Sequence, residues 1–310
     1  MLEDQNVLHI VDGDSAAEAL AEAGIEGDML NWLDVLHDGP VRGELSREAR
    51  LDERARFLSS QGWTSYQDAY DRLAMRYEVL DGSTHDVILL WYGPELFDQL
   101  QLLEPVAVLT DYPALLRRTR LAHLGESVPM SSPGTLHKAA SRARVLSEAQ
   151  IELARAAWRV FSGTSRADLE AFCAGSTQAL PHLGAALERM LEELPGDDGL
   201  SRTERATLEL AADGPAGPAD LFADLQDQET VPFMGDSSYW QRLKNLCEGP
   251  KPLLATADGA PFFLPRENPP EDGFTAQQLI LTDACRAVLA GTAVHTPTPG
   301  ILGGIRYGAA

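Results

Sequence analysis

Two carboxylates flank an imidazole in the segment that runs from Asp34 to Gly39. His37 can act as a general base there, and Asp34 or Asp38 can orient it or hold a divalent ion. The same residues also suit a plain turn, because aspartate and glycine both have turn roles of their own. The segment therefore predicts either a catalytic group or an Asp-Gly turn, and the sequence leaves both open.

A second polar group accompanies a short apolar run near the start of the chain. His9 lies within that run, and Asp12, Gly13, Asp14 and Ser15 follow it directly. His9 is a second candidate base, and the backbone amides of the loop can bind a ligand or meet developing negative charge. The competing interpretation is structural, because Asp14 or Ser15 can cap the next helix and a strand histidine is usually a core residue with a satisfied hydrogen bond.

A third group ends the most apolar run of the chain. Trp91 and Tyr92 close that run, and Glu95 follows after a turn. Aromatic side chains at a strand end can stack on a planar ligand, although they also commonly complete a core. With the loop from Asp12 to Ser15 and with Gly39, these residues form the predicted ligand-binding set.

Strands must position these groups, and the apolar pattern predicts strands over residues 7–11, 86–91 and 105–109 and an extended or buried segment over residues 29–36. Residues 7–11, 29–36 and 86–91 are each followed by turn residues and then by a helix-like stretch, an order typical of α/β domains. We therefore expect a doubly wound, mostly parallel sheet in residues 1–140. In such sheets ligands bind beyond the carboxyl ends of the strands, where all three polar groups are expected to lie.

The rest of the chain changes character. Helical periodicity over residues 141–198 predicts a helical connector that ends at the Pro-Gly-Asp-Asp-Gly breaker. Residues 199–310 begin with capping chemistry around Ser201, then carry the pattern of three short helices and a Pro/Gly-punctuated ribbon. This order predicts a winged-helix-like domain, which follows the α/β domain and the helical connector.

Composition narrows the class of protein. The 310 residues are 44% hydrophobic, with a formal net charge of −22 and three widely spaced cysteines. A real core is expected, and neither a disulfide framework nor a zinc site is indicated. The negative charge disfavours nucleic acid as a partner. No apolar run is long enough for a membrane span and no secretory signal is evident, so we expect a cytoplasmic protein without membrane contact.

Several motifs in combination resemble a bacterial family designated domain of unknown function 1835, over nearly the whole chain. They lie at Leu8–Ser15, Asp34–Pro40, Leu90–Tyr92 with Asp98–Leu100, Gly199–Arg205, Phe233–Asp236 and Leu302–Gly304. In that family an acidic residue and a histidine tend to follow the tryptophan-aromatic pair, whereas this chain has Gly93 and Pro94. The resemblance implies no established activity.

The sequence favours a protein that binds a polar small molecule, with nucleotides among the candidates, at the strand ends of the first domain. Hydrolase or transferase chemistry would fit His37 or His9 as base, with Asp34 or Asp38 beside it. The alternative is a non-enzymatic regulatory protein that uses its winged-helix-like part to bind a protein or, less favoured, DNA. The sequence identifies no cofactor and no metal.

Overall fold

The computed structural model of the chain describes residues 5–266 and 269–308. It is a mixed α/β structure that divides into two compact units, one comprising Met1–Glu188 with Ile301–Ile305 and the other the remaining residues. The division falls within one helix, and the predicted three-part organisation with boundaries at 140 and 198 stays a prediction. Among the described residues, no helix combines the length and apolarity needed to cross a bilayer.

The first unit alternates strands and helices. In chain order its elements are β1 Val7–Val11, α1 Asp14–Glu22, β2 Asp28–Asn31, β3 Gly39–Pro40, α2 Arg47–Ser60, α3 Tyr66–Asp81, β4 Val87–Tyr92, α4 Leu96–Leu109, α5 Pro113–Leu116, β5 Thr119–His123, α6 Pro133–Arg142, β6 Arg144–Val145, α7 Glu148–Phe161 and α8 Arg166–Cys173, followed by α9 Leu183–Leu191.

The main sheet has the strand order β2-β1-β4-β5-β6. β1 pairs in parallel with both β2 and β4, and β4 pairs in parallel with β5, whereas β6 is antiparallel. The chain leaves β1 toward β2 on one side and later returns to β4 on the other side. This reversal creates a topological switch point at the carboxyl ends of β1 and β4, where open α/β sheets bind their ligands.

The two faces of the sheet carry alternate side chains of each strand. One face packs against α1 and α6 through a core that includes Val11, Leu20, Leu89 and Leu136. On the other face α4 packs against β4, and α7 packs against α4. Since α4 lies between the sheet and α7, it is buried along most of its length.

The strand predicted over residues 105–109 is wrong, because these residues form the last part of α4. A short apolar run is compatible with a buried strand and with a helix buried on all sides, and the sequence pattern does not distinguish the two. Pro105 favoured a break in the sequence, yet it lies inside the helix. The helix tolerates it there although the ring removes one backbone donor.

The predicted cap of α1 is also wrong. Gly13 is the N-cap residue of α1, and no side chain caps the helix. Asp14 instead accepts a hydrogen bond from the Asn31 amide at the end of β2. The predicted capping at Ser201 is confirmed, since Ser201 and Glu204 form a reciprocal capping box.

The second unit is built from short helices and a small ribbon. Its elements are α10 Arg202–Leu210, α11 Pro218–Gln226, α12 Asp236–Cys247, β7 Leu254–Thr256, α13 Asp272–Thr275, β8 Leu279–Leu281 and α14 Asp283–Leu289. The last two strands of the chain are β9 Gly300–Gly303 and β10 Ile305–Tyr307, and their residues 301–305 belong to the first unit. Strands β7 and β8 are antiparallel, and Ala216 forms a single antiparallel bridge to Leu279. The core here is aromatic, with the rings of Trp240 and Phe274 4.9 Å apart.

Candidate functional site

A pair of carboxyl groups occupies the switch point of the sheet. Asp12 follows β1 directly, and Asp98 lies in the first turn of α4, the helix that follows β4. The two side chains are hydrogen-bonded to each other. The backbone N–H of Gly93 donates to Asp98 Oδ2 over 2.7 Å, which fixes the second carboxyl against the end of β4.

Burial controls the protonation of this pair. Desolvation raises the pKa of Asp12, and it raises the pKa of Asp98 well above the usual range, helped by the neighbouring charge of Asp12. Two adjacent carboxylates cannot both ionise cheaply in such a site, so they share a proton. The shared proton belongs to the pair, because the pKa values of both carboxyls are raised and each depends on the charge of the other.

Two buried polar atoms beside the pair have no hydrogen-bond partner in the structure. They are Oδ1 of Asp12 and the hydroxyl of Tyr92. Burial, followed by the charges of Asp12 and Asp98, raises the pKa of Tyr92 well above its ordinary value, so the phenol stays neutral. A buried polar atom without a partner costs free energy, and such an atom calls for an explanation such as a bound molecule.

A third carboxyl lies at the rim of this group. Glu95 precedes α4, and burial raises its pKa, while a hydrogen bond from Ser127 and the charge of Asp12 act on it in opposite directions. The three carboxyls do not form a metal cage: in the described part of the chain, no group of three or more histidine, cysteine, aspartate or glutamate side chains is arranged to hold an ion.

The start of α1 supplies donors to the same edge of the sheet. The first turn of a helix has backbone N–H groups without intrahelical acceptors, and here no side chain caps them. Asp14 and Ser15 are exposed in this turn. The edge therefore combines acceptors on Asp12 with backbone donors one residue further along the chain.

Two glutamines of α4 hold the loops of the site. The side-chain amide of Gln99 donates to the carbonyl of Gly93 over 2.6 Å. Gln101 donates to the carbonyl of Asp12 over 3.4 Å and accepts from the backbone N–H of Asp34 over 3.3 Å. Sequence reasoning did not include these glutamines or Asp98 in the site. The sequence feature that could have indicated their role is the set of polar residues within the otherwise apolar α4.

Gly93 is required by the close approach of its surroundings. A Cβ atom at this position would lie 2.7 Å from Asp98 Oδ2 and 2.7 Å from the carbonyl oxygen of Glu126. A side chain would therefore push Asp98 away from its place. This requirement explains why a glycine separates Tyr92 from the helix that carries the second carboxyl.

The predicted group around His37 is not part of the carboxyl pair at the switch point, and its residues surround an arginine. Asp34 forms a buried two-pronged ion pair with Arg54 of α2, whose Nη2 is 2.6 Å from Asp34 Oδ1. The same guanidinium donates to the backbone carbonyls of Val35, Asp38 and Pro40. The loop thus wraps around one arginine, and the Asp34 carboxylate is occupied by it.

His37 and Gly39 belong to the same wrapped loop. Nε2 of His37 lies 3.8 Å from Asp38 Oδ2, and its ring meets the ring of Phe97 edge-on with centroids 5.9 Å apart. His37 is 2% exposed. Gly39 has φ near +72°, and a Cβ there would lie 2.5 Å from the Phe57 ring, so this turn needs glycine.

His9 and Trp91 contact each other within the core. The Trp91 indole N–H donates to His9 Nδ1 over 2.9 Å, and His9 Nε2 lies 3.1 Å from the carbonyl oxygen of Glu26. An indole can only donate and a carbonyl can only accept, so His9 is neutral with its proton on Nε2. Burial lowers its pKa, which agrees with the neutral form. Both ring nitrogens are therefore engaged in structural contacts.

The structure thus brings together Asp12, Gly13, Tyr92 and Glu95 at the switch point, adjacent to Asp14 and Ser15. It places Asp34, His37, Asp38 and Gly39 around Arg54, with Gln101 joining the two loops. His9 and Trp91 lie on the opposite face of the sheet. Comparison with models of known protein families and with curated protein sequences finds no match to the chain.

Proposed function

We propose that the first unit binds a polar small molecule at the switch point between β1 and β4. The observation that carries the proposal is the buried Asp12–Asp98 pair with a partnerless acceptor on Asp12 and a partnerless hydroxyl on Tyr92. Asp12 as a whole is half-buried, and the two partnerless atoms, its Oδ1 and the Tyr92 hydroxyl, are buried. Asn31, the last residue of β2, has a further buried oxygen without a hydrogen-bond partner, its Oδ1.

The chemistry of the edge selects the class of ligand. A carboxylate acceptor favours a hydroxyl or amino group, and the uncapped first turn of α1 favours an anionic group. A molecule that carries both, such as a nucleotide or a sugar phosphate, satisfies the edge best. The proposal is binding rather than catalysis by His37 or His9, because the contacts of Asp34 with Arg54 and of His9 with Trp91 support structural roles for those groups.

A thermal-shift screen of the full chain against nucleotides, sugar phosphates and divalent ions tests this proposal. We expect at least one hydroxylated anion to raise the melting temperature by several degrees, since a ligand at a hundred times its Kd stabilises by about 2.7 kcal/mol. Asp12→Asn is expected to reduce this shift strongly, because it removes the charge at the acceptor.

The matched control is Glu22→Gln, which removes one negative charge at an exposed position of α1. It should keep the full ligand-dependent shift. The proposal fails if no ligand stabilises the wild-type chain, or if Asp12→Asn and Glu22→Gln respond to the ligand alike.

We also propose that the second unit is a winged helix that binds a protein partner. The order α10, α11, α12, β7 and β8 supports it, as does the bridge of Ala216 to Leu279, which puts three strand-like segments side by side. Lys244 of α12 is paired with Glu248 at 2.6 Å, and the net charge of −22 disfavours a phosphate backbone as partner. Retention of a labelled DNA duplex by the chain at physiological salt would contradict the preference for a protein.

The family resemblance also remains a proposal. Its support is the order of six motifs along the chain, of which three contribute Asp12, Asp34 and Asp98 to the groups described above. An alignment of family members in which the position of Asp12 carried unrelated residue types would contradict a shared site.

A further inference from the structure

A cavity of the first unit lies at the end of α4 that is remote from the switch point. Its volume is about 690 Å³, which falls in the range of small-molecule sites. The walls come from the loop before α2, from α2 itself, from the end of α4 and from the end of α7. The 14 residues of α4 separate this cavity from the switch point by about 20 Å, at 1.5 Å per residue.

Three arginines line this cavity. Arg50 comes from α2, and Arg155 and Arg159 come from successive turns of α7, so the two share one face of that helix. None of the three forms an ion pair with a carboxylate within 4.0 Å in the part of the chain that the structure describes. Elsewhere arginines such as Arg54 and Arg76 are paired with carboxylates.

The gathering of the three arginines on one cavity is the informative feature. The chain has a net charge of −22, and other arginines without an ion pair, such as Arg72 and Arg117, lie outside this cavity. Arg155 and Arg159 line the cavity without such partners, and Arg50, which is also hydrogen-bonded to Tyr77, brings a third guanidinium group to it. Glu44 and Asp111 also line the cavity, so the lining keeps an excess of one positive charge.

The cavity wall is held in place by backbone contacts. The N–H of Gly43 donates to the carbonyl of Ser162 over 3.1 Å, and a Cβ on Gly43 would lie within 2.4 Å of the Ser162 hydroxyl. The Ser162 hydroxyl donates to the carbonyl of Trp158 over 2.7 Å, which ties the wall to α7. The exposed hydroxyl of Thr164 adds a neutral donor at the rim.

We propose that this cavity is an anion site for a small phosphorylated molecule. Guanidinium groups bind phosphate oxygens through paired, charge-assisted hydrogen bonds, and several of them are needed to hold a polyanion against the overall negative field. Arg155 and Arg159 approach the ligand from one side and Arg50 from the other. The inference is independent of the ligand at the switch point.

Isothermal titration of the full chain with inorganic pyrophosphate tests the proposal. We expect measurable binding at 50 mM salt that weakens as salt rises, and at least about tenfold weaker binding to the double variant Arg155→Gln/Arg159→Gln. The control is Arg72→Gln/Arg117→Gln, which removes two exposed arginines outside the cavity and should keep the wild-type affinity. Circular dichroism of each variant verifies that the fold is kept.

Two further variants make the outcome unambiguous. Glu44→Gln/Asp111→Asn should bind pyrophosphate more tightly, since it removes the opposing charges of the lining, and Asp12→Asn should leave the affinity unchanged. The proposal is overturned if pyrophosphate does not bind at millimolar concentration, or if both arginine double variants lose affinity equally. Loss of binding in Asp12→Asn alone would place the anion at the switch point instead and would also overturn it.

Discussion

Replacing Arg54 by alanine is expected to lower the free energy of unfolding by about 3–5 kcal/mol, the cost of breaking a buried ion pair on one side. The side chain of Asp34 would remain buried with a charge and no cationic partner. The carbonyls of Val35, Asp38 and Pro40 would lose their donor in the same step. The free energy of unfolding of a typical domain is about 5–15 kcal/mol, so this loss is a large share of it.

Chemical denaturation followed by far-UV circular dichroism measures this effect. Arg56→Ala is the matched control, because Arg56 lies on the same helix and pairs with Asp52 on the exposed surface. We expect it to leave the midpoint almost unchanged, as exposed pairs contribute little. The double variant Arg54→Leu/Asp34→Leu should recover part of the loss, since it leaves no buried charge. Equal midpoints for Arg54→Ala and Arg56→Ala would show that the wrapped loop does not stabilise the fold.

The second large effect concerns Asp98 and the pH dependence of stability. Its pKa is raised well above the usual range by burial and by Asp12, whereas an unfolded aspartate titrates near about 3.9. Between these two values the folded chain holds a proton that the unfolded chain releases. The free energy of unfolding therefore falls as pH rises through this window, and the contribution is fully present only below the unfolded pKa.

Asp98→Asn is expected to remove this penalty. The asparagine carbonyl can accept from the Gly93 N–H, and its amide can donate to Asp12, so both hydrogen bonds survive. The variant should gain stability relative to the wild type as pH rises from 4 to 8, at about 1.4 kcal/mol for each unit of pKa shift that is removed. Urea unfolding at four pH values measures it. A constant difference across this range, or a loss that grows with pH, would argue against a shared proton.

The sheet was predictable because its strands are short apolar runs that end in turn residues. β1 and β4 read clearly for this reason, and their carboxyl ends pointed to one edge. The strand over residues 105–109 failed because a helix buried on both sides has no polar stripe to reveal its period. The order of the strands, and hence the switch point, depends on pairing between distant segments that a local pattern does not contain.

The site was predictable only in part. Asp12 and Glu95 could be predicted as site residues because they follow strands. Asp98 lies on a helix, and its role depends on a contact with Asp12, which is 86 positions away in the chain. Asp34 and His37 had the residue types of a catalytic group. Their role is decided by Arg54, which lies on α2, 20 positions away from Asp34. Spacing along the chain does not report such contacts.

Amide NMR spectra of the full chain, with and without the molecule selected by the thermal-shift screen, test the central claim most directly. We expect the largest changes at the backbone amides of Gly13 to Ser15 and of Gly93 to Asp98, on both sides of the switch point. Changes confined to the loop around Arg54, or to α12 of the second unit, would contradict binding at the ends of β1 and β4.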